Sequence, residues 1–175
     1  MTLHTQALED VTKYANAHGI DVVYTKDLDP FFKGDLDGQT IWLDESLSHK
    51  EKLFNLLHLI GHTIQWATDE FAYTIGSVLH EKPSPLLLET LLRYEREAAG
   101  YGKYILYRLG YLIKLAAWYD DMFFMDMKYL THFYKTGEKN YNIDAPSPIK
   151  RLPALALPLS YTPKKRDKSR EGIVI

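Results

Sequence analysis

With 175 residues, 46% of them hydrophobic and 25% charged, the chain has the length and composition of one globular domain with a sizeable core, which excludes wholesale disorder. Twenty-one basic and twenty-three acidic side chains leave a formal charge of -2, so no global field draws it to nucleic acid or to an anionic membrane. The absence of cysteine excludes a disulfide framework and any thiolate metal site, so a metal would have to be held by histidine and carboxylate.

Met1 to Gln6 lacks the basic-then-apolar layout of a signal peptide, and no run of about eighteen apolar residues follows, which predicts a cytoplasmic protein with no membrane partner. Apolar side chains at Ala7, Leu8, Val11, Tyr14 and Ala15 predict a first helix over about 5–17, stopped by His18-Gly19. Val22, Val23 and Tyr24 are strand formers, and Asp29-Pro30 breaks the chain after them. Asp37-Gly38, between 31–36 and 39–43, predicts a type I′ hairpin, so the expected sheet is small, three-stranded and antiparallel, with Thr40, Ile41, Trp42 and Leu43 as its best strand.

Ser48-His49-Lys50-Glu51 is a capping box, which starts a helix close to residue 49. Its apolar stripe is Leu53, Leu56, Leu57, Ile60 and Ile64; a step of about 100° per residue puts His58 and His62 together on nearly the opposite side, with Phe54 and Gln65. After Asp69 a less regular stretch runs to about 82. Ser84-Pro85 then opens another helix, Ser as cap and Pro at its first position. Leu88, Leu91, Leu92, Ala98, Ala99 and Gly102 define its face, and Glu95 lies in the middle of that face, where a carboxylate needs a cation, a donor or a metal opposite it. The small residues beside Glu95 let another helix come close. A very aromatic helix is expected over about 112–135, stopped by Gly137. Five prolines between 146 and 163 then predict an extended C-terminal segment on the domain surface, which divides the chain into a domain at 1–143 and a tail at 144–175, with a possible short strand at 173–175. The architecture expected is α+β and mostly helical.

Two imidazoles four residues apart on one helix face can reach a single metal ion, and His-x-x-x-His on a helix supplies two of the three protein ligands in zinc peptidases of the His-Glu-x-x-His type. His58, His62 and Glu95 thus form a candidate His-His-Glu metal set, for Zn²⁺ with Mn²⁺ or Fe²⁺ as alternatives. The general-base Glu of such motifs is missing, since Leu59 occupies its position, and no other catalytic residue is assigned.

The run Gln39-Thr40-Ile41-Trp42-Leu43-Asp44-Glu45, continued by Leu47 to His62, resembles the core of the ImmA/IrrE family of bacterial metallopeptidases, and Glu95 to Gly102 is similar to that family's later helix. The resemblance covers about residues 5–105. It implies a zincin-like fold, His58, His62 and Glu95 as metal ligands, and a helix-turn-helix repressor of stress, phage or mobile-element genes as protein partner. By analogy with related zinc peptidases, Thr40, Ile41 and Trp42 would be the edge that receives an extended substrate or partner by strand addition.

Two departures from the family pattern shape the expectation. Leu59 removes the base, at a typical cost of about 10²–10⁴-fold in rate, and Ala99 stands where the family often has an Asn or Asp behind a ligand, worth about 10–100-fold in metal affinity. The expected protein is a metal-binding relative whose hydrolysis is weak or lost. The alternatives are an active peptidase that uses another base, such as Glu97, Asp69 or Glu70, and a metal-free helical interaction domain. His132 with Tyr134 could supply a proton donor, whereas Asp120, Asp121 and Asp126 read as a solvated face and the basic run 164–170 as a solvated tail, with no direct nucleic-acid binding.

Overall fold

The computed structural model describes residues 1–28, 32–78, 80, 82–138 and 152–166. Helix α1 (Leu3–Ala17) starts where the Thr2 hydroxyl accepts from the Thr5 amide, buries Ala7, Leu8, Val11 and Ala15, and ends before Gly19 at φ +77°. Strands β1 (Asp21–Thr25), β2 (Gly34–Leu36) and β3 (Thr40–Asp44) follow, then α2 (His49–Thr68), α3 (Glu70–Gly76), α4 (Pro85–Arg108) and α5 (Leu112–Thr136). The class is therefore α+β and mostly helical, as the sequence led us to expect.

The sheet corrects the expected pairing. Its order is β1-β3-β2, with β1 parallel to β3 and β2 antiparallel to it, so it is mixed and not antiparallel. The local hairpin signal fixed only the β2–β3 pair; β1 reaches its partner from a distance, with the Asp21 amide donating to the Gln39 carbonyl. Strand β3 is consequently central. Ile41 pairs with Val22 on one side and Leu36 on the other, so Thr40, Ile41 and Trp42 form no edge, and strand addition there is overturned. The turn also departs from type I′: only Gly38 has positive φ, and the Asp37 carboxylate accepts from the Gln39 and Thr40 amides at 3.0 and 2.6 Å.

The capping box at Ser48 is formed in both directions, Glu51 amide to Ser48 Oγ at 3.3 Å and Ser48 amide to Glu51 Oε2 at 3.0 Å. From Leu53 to Trp66 every residue of α2 is buried, so this helix is wrapped on all sides. The leucine and isoleucine stripe meets α1 and the sheet, and the histidine side meets α4 and α5. The short α3, capped by Asp69, replaces the less regular stretch expected after α2; at seven residues it carries too few apolar positions to declare a helical period.

Helix α4 begins as expected at Ser84-Pro85 and packs on α2 through small residues. A Cβ on Gly61 would strike the carbonyl of Ala98, and one on Gly102 would lie 2.8 Å from the carbonyl oxygen of Leu57. The two backbones thus meet almost directly. Residues 152–166 run without helix or strand over α4 and the hairpin, in keeping with an extended segment on the domain surface. Lys103 Nζ ties the Leu152 carbonyl at 2.7 Å and Asp120 at 2.6 Å, and the Leu155 amide donates to Gly100 at 3.0 Å. Arg166 then donates to the carbonyls of Asp37 and Trp66, both at 2.7 Å, and lies 4.3 Å over the Tyr73 ring. The expected strand at 173–175 and the basic positions 167–170 lie outside the described residues, as does 139–151. No described helix is long and apolar enough to cross a membrane.

Candidate metal centre

Two consecutive turns of α2 present His58 and His62, whose rings stack with centroids 4.7 Å apart. Glu95 enters from the facing side of α4, and one of its oxygens, Oε2, lies 3.1 Å from Nε2 of both rings. The three ligand atoms available here lie within 4.8 Å of one another. This contact is possible because Gly61, between the histidines, has no side chain and Ala98, one turn after Glu95, only a methyl, so the Ala98 backbone lies directly against Gly61. His58, His62 and Glu95 are 0, 0 and 1% exposed. The three residues that the sequence grouped are thus brought together, as a set that could hold a metal ion.

Their outer partners decide what the inner atoms can do. Gln65, one turn after His62 and already on the histidine side by its phase, has its amide orientation fixed at two points. Its Nε2 donates to the Tyr94 carbonyl and to Glu97 Oε2, both at 3.0 Å, which turns Oε1 toward His62 Nδ1 at 2.9 Å. Since Oε1 can only accept, His62 Nδ1 carries the proton. Nε2 then points a lone pair at the Glu95 carboxylate unless a cation, either a second proton or a metal ion, lies between them. That donor set of two imidazole nitrogens and one carboxylate oxygen fits zinc, and a buried partner on the far nitrogen is the usual support for a ligating histidine.

Burial by itself would raise the Glu95 carboxyl, but the charge of His62 and hydrogen bonds from both histidines outweigh it and hold the group down at about 2. Tyr134 on α5 donates to the other oxygen, Oε1, at 3.2 Å, so the aromatic helix does reach the site. His132 does not; it faces Glu138 at 3.4 Å. Asp126, read from its spacing as part of a solvated face, lies behind His58 with its side chain only 10% exposed and Oδ2 at 3.7 Å from Nδ1, and desolvation pushes its carboxyl up to about 6. Asp120 is taken up by Lys103. The aromatic density of α5 hid the inward turn of Asp126, since its neighbours Met125 and Met127 are exposed and buried in turn and give no sign of which way the acid faces.

Leu59 is fully buried and points away from this cluster toward the sheet, where its Cδ1 fills the space above Gly34 and would lie 2.8 Å from a Cβ there. Of the substitute bases considered, Glu97 is occupied by Gln65 and by the Tyr101 hydroxyl at 3.2 Å, while Glu70 pairs with Arg166 and Asp69 caps α3. None is joined to the histidines except through Gln65. Ala99 contributes only its carbonyl, which accepts from Tyr119 at 3.2 Å. Compared with models of known protein families, with curated proteins and with solved structures, the chain matches none.

Proposed function

We propose that the chain is a metal-holding relative of zinc peptidases of the ImmA/IrrE type, in which His58, His62 and Glu95 bind one divalent ion, Zn²⁺ in the first instance with Mn²⁺ or Fe²⁺ as alternatives, and in which hydrolysis is weak or lost. The observation that carries this reading is the fixed amide of Gln65, which makes His62 Nδ1 a donor and leaves two Nε2 atoms and a carboxylate oxygen converging on one point. When bound, the ion would supply Lewis acidity and a fixed positive charge at that point.

Two features support loss of hydrolysis. A catalytic zinc keeps a position open to water and substrate, whereas here all three ligand residues are closed off from solvent. The motif's base position holds an apolar side chain already committed to the sheet. The protein would then act by binding, with a helix-turn-helix repressor as the partner that the sequence resemblance suggests. Any strand addition would have to use β1 or β2, because β3 is paired on both sides.

Metal analysis of the purified protein beside a His58→Ala/His62→Ala variant tests the first part. About one zinc per chain is expected in the first and none in the second; a wild-type protein that takes up no zinc, manganese or iron would leave the metal-free interaction domain, in which Glu95 simply pairs with two charged imidazoles. For the second part, Leu59→Glu is informative. A carboxylate placed against Gly34 without a partner should cost about 1–3 kcal/mol or more, lowering Tm by several degrees, with no cleavage of a candidate repressor gained. Efficient Glu95-dependent cleavage by the wild type would overturn the assignment as a non-hydrolytic protein, whereas a large gain of cleavage in the variant alone would support it and show that only the base is missing.

A further inference from the structure

Behind His58, on the side away from Glu95, two polar atoms face each other with no other partner. His58 Nδ1 and Asp126 Oδ2 are both buried, neither makes a hydrogen bond among the described residues, and they lie 3.7 Å apart. That separation is too long for a hydrogen bond. The arrangement is nevertheless selective. If Nε2 carries the only ring proton and gives it to Glu95, the Nδ1 lone pair faces a carboxylate and nothing is gained. When Nε2 is given over to a metal ion, the proton must reside on Nδ1, and the carboxylate is the acceptor waiting there.

We infer that Asp126 is a positioning residue for the metal centre: its carboxylate, brought by α5 to the back of His58, accepts the Nδ1 proton and so holds that ring with Nε2 turned toward the ion. This rests on the reading of His58, His62 and Glu95 as metal ligands. It gives His58 the counterpart of what Gln65 gives His62, so that each imidazole has an outer acceptor from a different part of the fold. It also supplies, from a third helix, a polar support on a ligand where Ala99 of α4 offers none.

A buried carboxylate oxygen that faces a partner without bonding it, as Asp126 Oδ2 does, contributes little to the zinc-free fold. The inference therefore has an unusual signature: removing Asp126 should harm metal binding and not the metal-free protein. An Asp126 retained only for packing would show the reverse.

The test is the zinc dissociation constant, by competition with a chelator, together with Tm of the zinc-free full chain, for wild type, Asp126→Ala and Asp126→Asn. Asp126→Ala is expected to weaken zinc about 10–100-fold with Tm unchanged or raised, and Asp126→Asn, whose amide oxygen can still accept from Nδ1, to recover most of that loss. Nitrogen-15 NMR of zinc-loaded wild type should show the His58 proton on Nδ1. Zinc affinity unchanged in Asp126→Ala, or affinity and zinc-free Tm falling together in both variants, overturns the role of Asp126 alone. Wild type that binds no zinc overturns the metal reading, and this inference with it.

Discussion

Replacing Glu95 by Gln is expected to abolish stoichiometric zinc binding and also to destabilise the metal-free protein by about 3–5 kcal/mol, the usual consequence of removing one partner from a buried charged cluster. For a chain of this size that corresponds to a fall in Tm of about 10 °C or more. Both effects have one cause. Glu95 Oε2 is the shared partner of His58 Nε2 and His62 Nε2, and an amide in its place is a poorer metal ligand and a weaker partner for both rings. The pH dependence follows from the depressed carboxyl. Its folded value, about 2, lies below the ordinary 4.5, so its stabilisation is fully present above 4.5 and is lost as the pH falls through the folded value. Thermal melts of the zinc-free wild type and Glu95→Gln should therefore keep their difference down to about pH 4.5 and converge only as the pH approaches 2. A variant as stable as wild type at pH 7 would show that the buried cluster is not charged.

Gly61→Ala should be nearly as damaging, although alanine is by itself the better helix former by about 1 kcal/mol. The added methyl meets the backbone carbonyl of Ala98, which belongs to a helix and cannot rotate away as a side chain would. Overpacking of a close helix crossing costs about 1–3 kcal/mol, and more where backbone has to move. The movement here separates α2 from α4, so Glu95 retreats from both rings. The measurement is paired: a Tm lowered by several degrees, and zinc affinity reduced more than Gly102→Ala reduces it, because the contact at Gly102 lies at Leu57 and Tyr119 and not between the two histidines. Equal losses of zinc in the two variants would argue that helix spacing as a whole, and not the crossing at the histidines, controls the site.

Much of this site was legible in the sequence because helical phase is a local property. Ser48 and Glu51 fixed the start of α2, and the 100° step then put His58, His62 and Gln65 on one side. Glu95 stood out as a charge among leucines and small residues, and Ala98, Ala99 and Gly102 foretold the close approach that brings it in. What escaped was set by contacts distant in sequence. The parallel pairing of β1 with β3, which made Thr40 to Trp42 central, has no local sign, since Val22 to Tyr24 would read the same in either direction. Asp126 escaped for a similar reason: along α5 it looks like any exposed acid, and only the docking of that helix on α2 turns it toward His58.

The tie made by Arg166 bears on how the protein acquires its structure. The pairs that define the histidine cluster join residues 33 to 39 positions apart, whereas Arg166 reaches back 100 positions to Trp66 and 96 to Glu70. Closing the longer loops costs more chain entropy and is repaid only after their targets are folded. The α2–α4–α5 cluster can thus assemble first, as an early nucleus, and the extended segment seals it afterward. In native-state hydrogen exchange the amides of Leu155 and Arg166 should open well before those of α2, so that the outer segment comes and goes over a histidine cluster that stays folded.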